Sequence, residues 1–419
     1  MKPRSMTLFL LILLSSILII LPTYAQEQPA ASSLLADQIS DYADFLSDHY
    51  AITLPEVVEQ SQFTDSVLLI APAAEIPSEI DLEGFNNLEA VLLALYYTNL
   101  DELAFTYPES KIEAGLSTLS AVPEGLPLPR QQELTAAIDA GLVDATFAAA
   151  YDLNAPVSAE SAYYLLGQIL DQTGQYKHDI GFVSDPDIYN HLIYTWESFD
   201  QVLSPDLQSP ANQLIRDGII TGYNLKRTSL NADFDPQRTI IYGHANIDHA
   251  RQLIALLRSE GLDARVQLEP KTSAFLYLAE WGEPTASPEF QVEALDDGNY
   301  IAYAKEYDLV FEFSDTATRD LFDTIIKTYA KKDADDEPGL ILGSWWQPLY
   351  SSTVAIPDYI AVKNNVVYVG DFYLQSFSLT ENSEAIIDSF TSDYPSGTVE
   401  VWDLWVNEAF HNYLLGLPT

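Results

Sequence analysis

The stretch TIIYGHANIDHARQLIALLRSEGLDARVQL (residues 239–268) changes its hydrophobic period twice. Thr239 to Tyr242 is a short β-branched and aromatic run, which predicts a strand. Asn246 predicts an N-cap, because its side-chain oxygen can accept a free backbone N–H at a helix start. Ile247, Ala250, Leu253, Ile254 and Leu257 recur at helical spacing and predict a helix over 247–260 with those residues inward. Gly261 predicts its stop, and Ala264 to Leu268 a second strand. The pattern returns further along: Leu309 to Phe313 predicts a strand and Ser314 or Asp315 a cap. Leu321, Phe322, Ile325 and Ile326 then predict a helix, and Leu340 to Leu342 a resumed strand. Two βαβ-like units result. Asp297-Gly298 and Asn364-Asn365 are hairpin-turn signals that add antiparallel strands. Ala385, Ile386, Ile387 and Phe390 predict one more helix, while Val399 to Val406 fits a strand or a helix. Residues 239–419 are therefore predicted to form an α+β domain.

Working back from residue 239, the pattern from Gln131 to about Leu230 is helical with short turns, so 131–238 is predicted to be mainly helical. Pro123, Gly125, Pro127 and Pro129 stop helices and mark a boundary. Residues 26–122 mix elements: Leu34, Leu35, Ile39, Tyr42, Phe45 and Leu46 sit at helical spacing, Val67 to Ile70 is a short strand candidate, and Leu88 to Tyr97 is another helix. The fold class expected for the whole chain is α+β. Its 419 residues exceed the size at which one core stops growing.

Lys2 and Arg4 precede an apolar run from Leu8 to Leu21, followed by Pro22, Thr23, Tyr24 and Ala25. This predicts a secretory signal peptide over 1–25, cut before Gln26; an uncleaved signal-anchor is the alternative. The run is shorter than the roughly 20 residues that span a bilayer. The expectation is an extracytoplasmic protein, secreted or in a bacterial cell envelope, with no membrane span after cleavage. The chain has no cysteine, so disulfides and thiolate chemistry are excluded. Its formal charge of −43 repels phosphate backbones and anionic lipid heads, which excludes nucleic-acid binding as a main task. From Gln26 to Ser110 there are 16 Asp and Glu and no Lys or Arg.

Ala-Gly-Leu-Val-Asp (140–144), then Pro156, Val157, Ser158, Ala159, Glu160 and the apolar helix ending Tyr164-Leu165-Leu166, resemble an S-layer homology module over residues 137–170. An echo at 214–240 runs through Asp217-Gly218-Ile219-Ile220-Thr221-Gly222, Phe234-Asp235-Pro236 and Ile240. Ser158-Ala159-Glu160 lacks the family's Arg, and the echo has no Glu-containing entry. The resemblance implies anchorage to cell-wall polysaccharide.

Gly243-His244-Ala245-Asn246-Ile247-Asp248-His249 lies where a strand turns into a helix. Two imidazoles and a carboxylate could bind a divalent metal and lower the pKa of its water, so His244, Asp248 and His249 are candidate ligands of a metal-dependent hydrolase. The letters are one His short of the H-x-H-x-D-H run of metallo-β-lactamase-like hydrolases, because Asn246 holds the middle position. The simpler reading is a capped helix with an exposed first-turn His. Arg238 and Arg251 flank this junction, where helix N–H groups favour an anion; pairing with surplus acids is the competing reading. Trp345, Trp346 and Tyr350 lie in the densest aromatic run and are candidates for stacking on a sugar or holding a peptide, against burial between layers. No catalytic set stands out, so the reading is a non-catalytic envelope or extracellular binding protein with no cofactor. Cell-wall polysaccharide or another envelope ligand is its expected partner, and the metal-dependent hydrolase is the alternative.

Overall fold

The computed structural model describes residues 31–71, 85–329, 349–415 and 417. The predicted signal peptide and the predicted strand at Leu340–Leu342 lie outside the described residues. The chain divides into two compact units, the first holding residues 31–47, 52–65 and 85–165, the second residues 48–51, 66–71 and those from 166 onward.

The first unit is built from helices. These are α1 (Ala31–Tyr50), α2 (Gln60–Ile70), α3 (Asn87–Tyr97), α4 (Glu109–Leu116), α5 (Leu128–Asp139), α6 (Ala145–Ala150) and the first half of α7 (Ala159–Gln172). Leu35, Ile39, Tyr42 and Leu46 line the buried face of α1 at the predicted spacing. In α3 every residue from Ala90 to Leu95 is buried, the mark of a helix covered on all sides. Asn86 caps it, its side chain accepting the Glu89 N–H at 3.0 Å. Val67 to Ile70, predicted as a strand, closes α2 instead. A short apolar run cannot distinguish the two by periodicity, and Phe63, Val67 and Ile70 share one helical face.

The second unit carries the sheet. In chain order its elements are β1 (Gly181–Phe182), α8 (Ile188–Ser198), α9 (Pro205–Arg216), β2 (Gly222–Arg227), β3 (Thr239–His244), α10 (Ile247–Ser259), β4 (Ala264–Tyr277), β5 (Phe290–Ala294), β6 (Tyr300–Phe313) and α11 (Thr316–Tyr329). There follow β7 (Leu349–Ser352), β8 (Ile360–Val369), β9 (Phe372–Ser378), α12 (Thr380–Asp393), β10 (Thr398–Val406) and α13 (Glu408–Leu414). Helices plus strands bear out the α+β class, and every pairing is antiparallel. The order β4-β2-β9-β8-β10-β7-β3-β6 closes through a β4–β6 ladder, so eight strands form a barrel, which the sequence did not reveal. Each of the eight strands has a partner on both sides, with β10 meeting β7 only at Trp405 and Val406.

Both βαβ-like units are split. Strands β3 and β4 each run antiparallel to β6, which lies between them, and β6 and β7 flank β3 likewise. Apart from the short β5, the run β3-α10-β4-β6-α11-β7 has the connectivity and order of a β-α-β-β-α-β unit of the ferredoxin-like kind. A third split unit, β9-α12-β10 around β8, extends the same scheme. β2 lies in the region predicted as helical. Asn364 and Asn365, predicted as a turn, sit inside β8; the turn is Gly370-Asp371, where Gly370 takes a φ of +57°. The Asp297-Gly298 turn before β6 is observed, with Gly298 at φ +88°.

In this unit α9, α10, α11 and α12 cover the outside of the barrel. Leu253, Ile254 and Leu257 of α10 and Phe322 and Ile326 of α11 pack with Ile240, Tyr242, Leu268, Tyr307 and Phe311 of the strands. Leu207 and Leu214 of α9 and Ile386 and Phe390 of α12 cover Leu225, Leu374 and Val367. Because side chains alternate along a strand, the opposite positions point into the barrel. An eight-stranded barrel is just wide enough for its side chains to fill. Ala232 and Phe234 pack there on Val310 and Ile241, and Phe410 of α13 on Val362, Leu404 and Val406.

Candidate functional site

At the strand-to-helix junction Asn246 caps α10 as predicted, its side chain accepting the Asp248 N–H at 2.9 Å. His244 Nδ1 accepts the Asn246 backbone N–H at 2.8 Å, which leaves the neutral ring its proton on Nε2. His249 lies over it, ring centroids 4.0 Å apart and planes 29° from parallel, with its Nδ1 3.2 Å from the Tyr242 hydroxyl. Burial, then the neighbouring His249 and Lys271, lower His244 to about 4, and burial lowers His249. Asp248 points away to a 3.0 Å pair with Arg251, both well exposed. The structure thus brings the two imidazoles together and leaves the carboxylate outside. Among the described residues no group of three His, Asp or Glu side chains is arranged to hold a metal ion.

The predicted cations are likewise engaged. Arg238 pairs with Asp235 at 2.7 Å and reaches Glu312 at 3.4 Å, while Arg251 serves Asp248. Tyr350 is 1% exposed in β7 and packs on Tyr242, with ring centroids 5.0 Å apart, so it belongs to the core and offers no ring to a ligand. Trp345 and Trp346 lie outside the described residues.

Sequence reading missed the charges inside the barrel. β2, β4 and β6 turn Lys226, Glu269, Lys271, Glu306 and Asp308 to the same face. Lys226 is 5% exposed, and its ammonium group is 2.7 Å from Glu269 and 2.6 Å from Asp308. Lys271 meets the other Asp308 oxygen at 2.7 Å. Glu269 also accepts the Ala232 N–H at 2.7 Å, and Ser273 joins Glu306 at 2.5 Å to Asn224 at 2.7 Å. Burial works to raise the Asp308 carboxyl, but Lys226 and Lys271 outweigh it and hold Asp308 well below the ordinary range. Burial opposes the Lys226 charge, yet Asp308 and Glu269 hold its pKa well above that of a free lysine. Gly243 makes room: a Cβ there would lie 3.0 Å from Asp308 Oδ1 and 3.1 Å from Lys271 Nζ. Buried ions so closely matched are paired parts of the structure.

An exposed aromatic group stands where β4 and β6 run past the barrel. Tyr277 and Tyr300 are opposite each other in the ladder, ring centroids 6.2 Å apart at 81°. Trp281, on the single turn Ala279–Trp281, meets the Tyr277 ring edge-on at 5.2 Å and 78°, and remains 56% exposed. Gly282 ends that turn at φ +99°, a conformation glycine adopts without strain. Asn299 ties the turn to the β5–β6 connection, accepting the Ala279 N–H at 3.0 Å and donating to Asp297 at 2.9 Å. The result is an exposed indole ring held edge-on against Tyr277, next to amide and carboxylate groups in sequence. An isolated Trp between Glu280 and Gly282 carries no such signal in sequence; only the ladder register brings Tyr277 and Tyr300 beside it. Comparison with family models, curated proteins and solved structures finds no match for this chain.

Proposed function

We propose that the chain is exported and acts as a non-catalytic binding protein of the cell envelope or extracellular space, holding a neutral glycan on the Trp281 platform. The carrying observation is Trp281 itself: a large ring, more than half exposed, fixed edge-on against Tyr277. Flat aromatic rings beside polar groups suit the apolar face of a pyranose. The charge of −43, with Glu280, Glu283, Asp296 and Asp297 nearby in sequence, disfavours anionic polymers. The leader-like first 25 residues and the S-layer-like stretch at 137–170 support an envelope setting and a wall polymer. The test is retention on purified neutral wall polysaccharide. W281A is expected to bind about tenfold more weakly, about 1.4 kcal/mol, and W281F nearly as well as the parent. Equal retention of W281A and the parent would refute the platform.

A further inference from the structure

We infer that the cleft between α9 and the β5–β6 pair is a second glycan contact region, on the face of the β4–β6 ladder opposite to the Tyr277–Tyr300 pair, that reads the hydroxyl groups of a neutral sugar. The inference rests on the glycan reading and adds to it the part of the surface that would distinguish one sugar from another.

The cleft measures about 370 Å³, within the range of small-molecule sites. One wall is a stripe of α9, with Gln208, Ser209, Asn212 and Arg216 at helical spacing; Leu207, Ala211, Leu214 and Ile215 face the core. The other wall presents Glu293 of β5 and Tyr303 of β6. A chain of hydrogen bonds crosses between them with one polarity. The buried Tyr223 hydroxyl donates to Asn212 Oδ1 at 2.8 Å, and Asn212 Nδ2 donates to the Tyr303 hydroxyl at 2.8 Å. Tyr303 donates to Glu293 Oε2 at 3.0 Å, and Arg216 donates to the other Glu293 oxygen. Burial and the Glu293 carboxylate raise Tyr303, which keeps its proton in this chain.

The relay fixes which groups face outward. Arg216 and Asn212 retain N–H groups, Gln208 and Ser209 add donors, and the Glu293 carboxylate retains lone pairs. The α9 wall therefore supplies the donors and Glu293 of β5 the acceptor. A simple anion would be repelled by Glu293 and a simple cation by Arg216. A sugar hydroxyl both donates and accepts, and two neighbouring hydroxyls can bridge Arg216 and Glu293 while leaving the pair intact. A neutral polyhydroxylated ligand is the class that this arrangement accepts.

The test applies the full chain to an array of neutral, amino and acidic oligosaccharides, with Y303F, E293Q and W281A in parallel and circular dichroism as the folding control. Y303F removes one hydroxyl and E293Q one charge at an exposed position, so both are expected to stay folded. The parent should bind neutral sugars. Each cleft variant should lose at least fivefold and change the ranking of sugars, whereas W281A should weaken all of them and keep the ranking. If Y303F and E293Q match the parent in strength and ranking while W281A loses binding, the cleft inference fails and the platform stands. If the parent binds only acidic sugars or none, the glycan reading fails, and the inference with it.

Discussion

His244 makes the stability of this protein depend on pH in a defined window. Its folded value of about 4 lies below the unfolded value of about 6.5, so the unfolded chain takes up the proton first. The contribution of the neutral ring is complete above about 6.5 and falls away as the pH drops toward 4. Allowing for partial exposure, it amounts to about 1–2 kcal/mol. Urea unfolding at pH 7.5 and pH 4.5 should show that loss in the parent and a smaller one in H244Q; equal losses would show that His244 is not responsible. Asp308, whose folded pKa is depressed, acts in a lower window: its contribution is present above about 3.9 and is lost as the pH falls further. Lys226 tests the compensation of charge inside the barrel. K226M removes one cation from between Glu269 and Asp308 and should cost about 3 kcal/mol. K226M/E269Q restores neutrality and should cost less than K226M alone, whereas simple addition of the two single effects would contradict the coupling.

At the scale of elements, β2 is held by a close approach that only glycine permits. A Cβ on Gly222 would stand 2.6 Å from the Ala274 carbonyl oxygen and 3.1 Å from Phe275 Cβ. Backbone cannot yield as a flexible side chain can, so G222A should open the β2–β4 ladder and cost about 2 kcal/mol or more, measured by urea denaturation. A loss below about 0.5 kcal/mol would show that the ladder adjusts freely. The elements also show what was legible. Asn246 and Gly261 bound α10 as read, because a cap and a left-handed stop are local chemistry. Asn364-Asn365 misled because buried asparagines inside a strand use the same letters as a turn. Asn365 spends its amide on the Ser376 carbonyl and the Ser378 hydroxyl, and accepts from Ser383 of α12. The interior charges were illegible for a related reason: alternation of polar and apolar residues in β4 reads as one face in water, and only barrel closure turns that face inward. The aromatic platform was invisible too, since 23 positions separate Tyr277 from Tyr300 and strand register alone unites them.

In the second unit hydrophobic burial lies mainly between the barrel and its helices, the barrel interior holds matched ions beside small apolar clusters, and the chain carries a formal charge of −43. The β4–β6 ladder ends beside the turn that leaves Trp281 exposed. If this ring receives a neutral glycan as proposed, the six tryptophans of the chain supply their own reporters. The most direct measurement is a nitrogen-15 spectrum of the indole N–H groups, with the Trp281 signal assigned by its loss in W281F, as fragments of neutral wall polysaccharide are added. The Trp281 signal is expected to move first and furthest and to saturate. A Trp281 signal that stays fixed while the fragments bind elsewhere, or throughout the titration, would contradict the proposal.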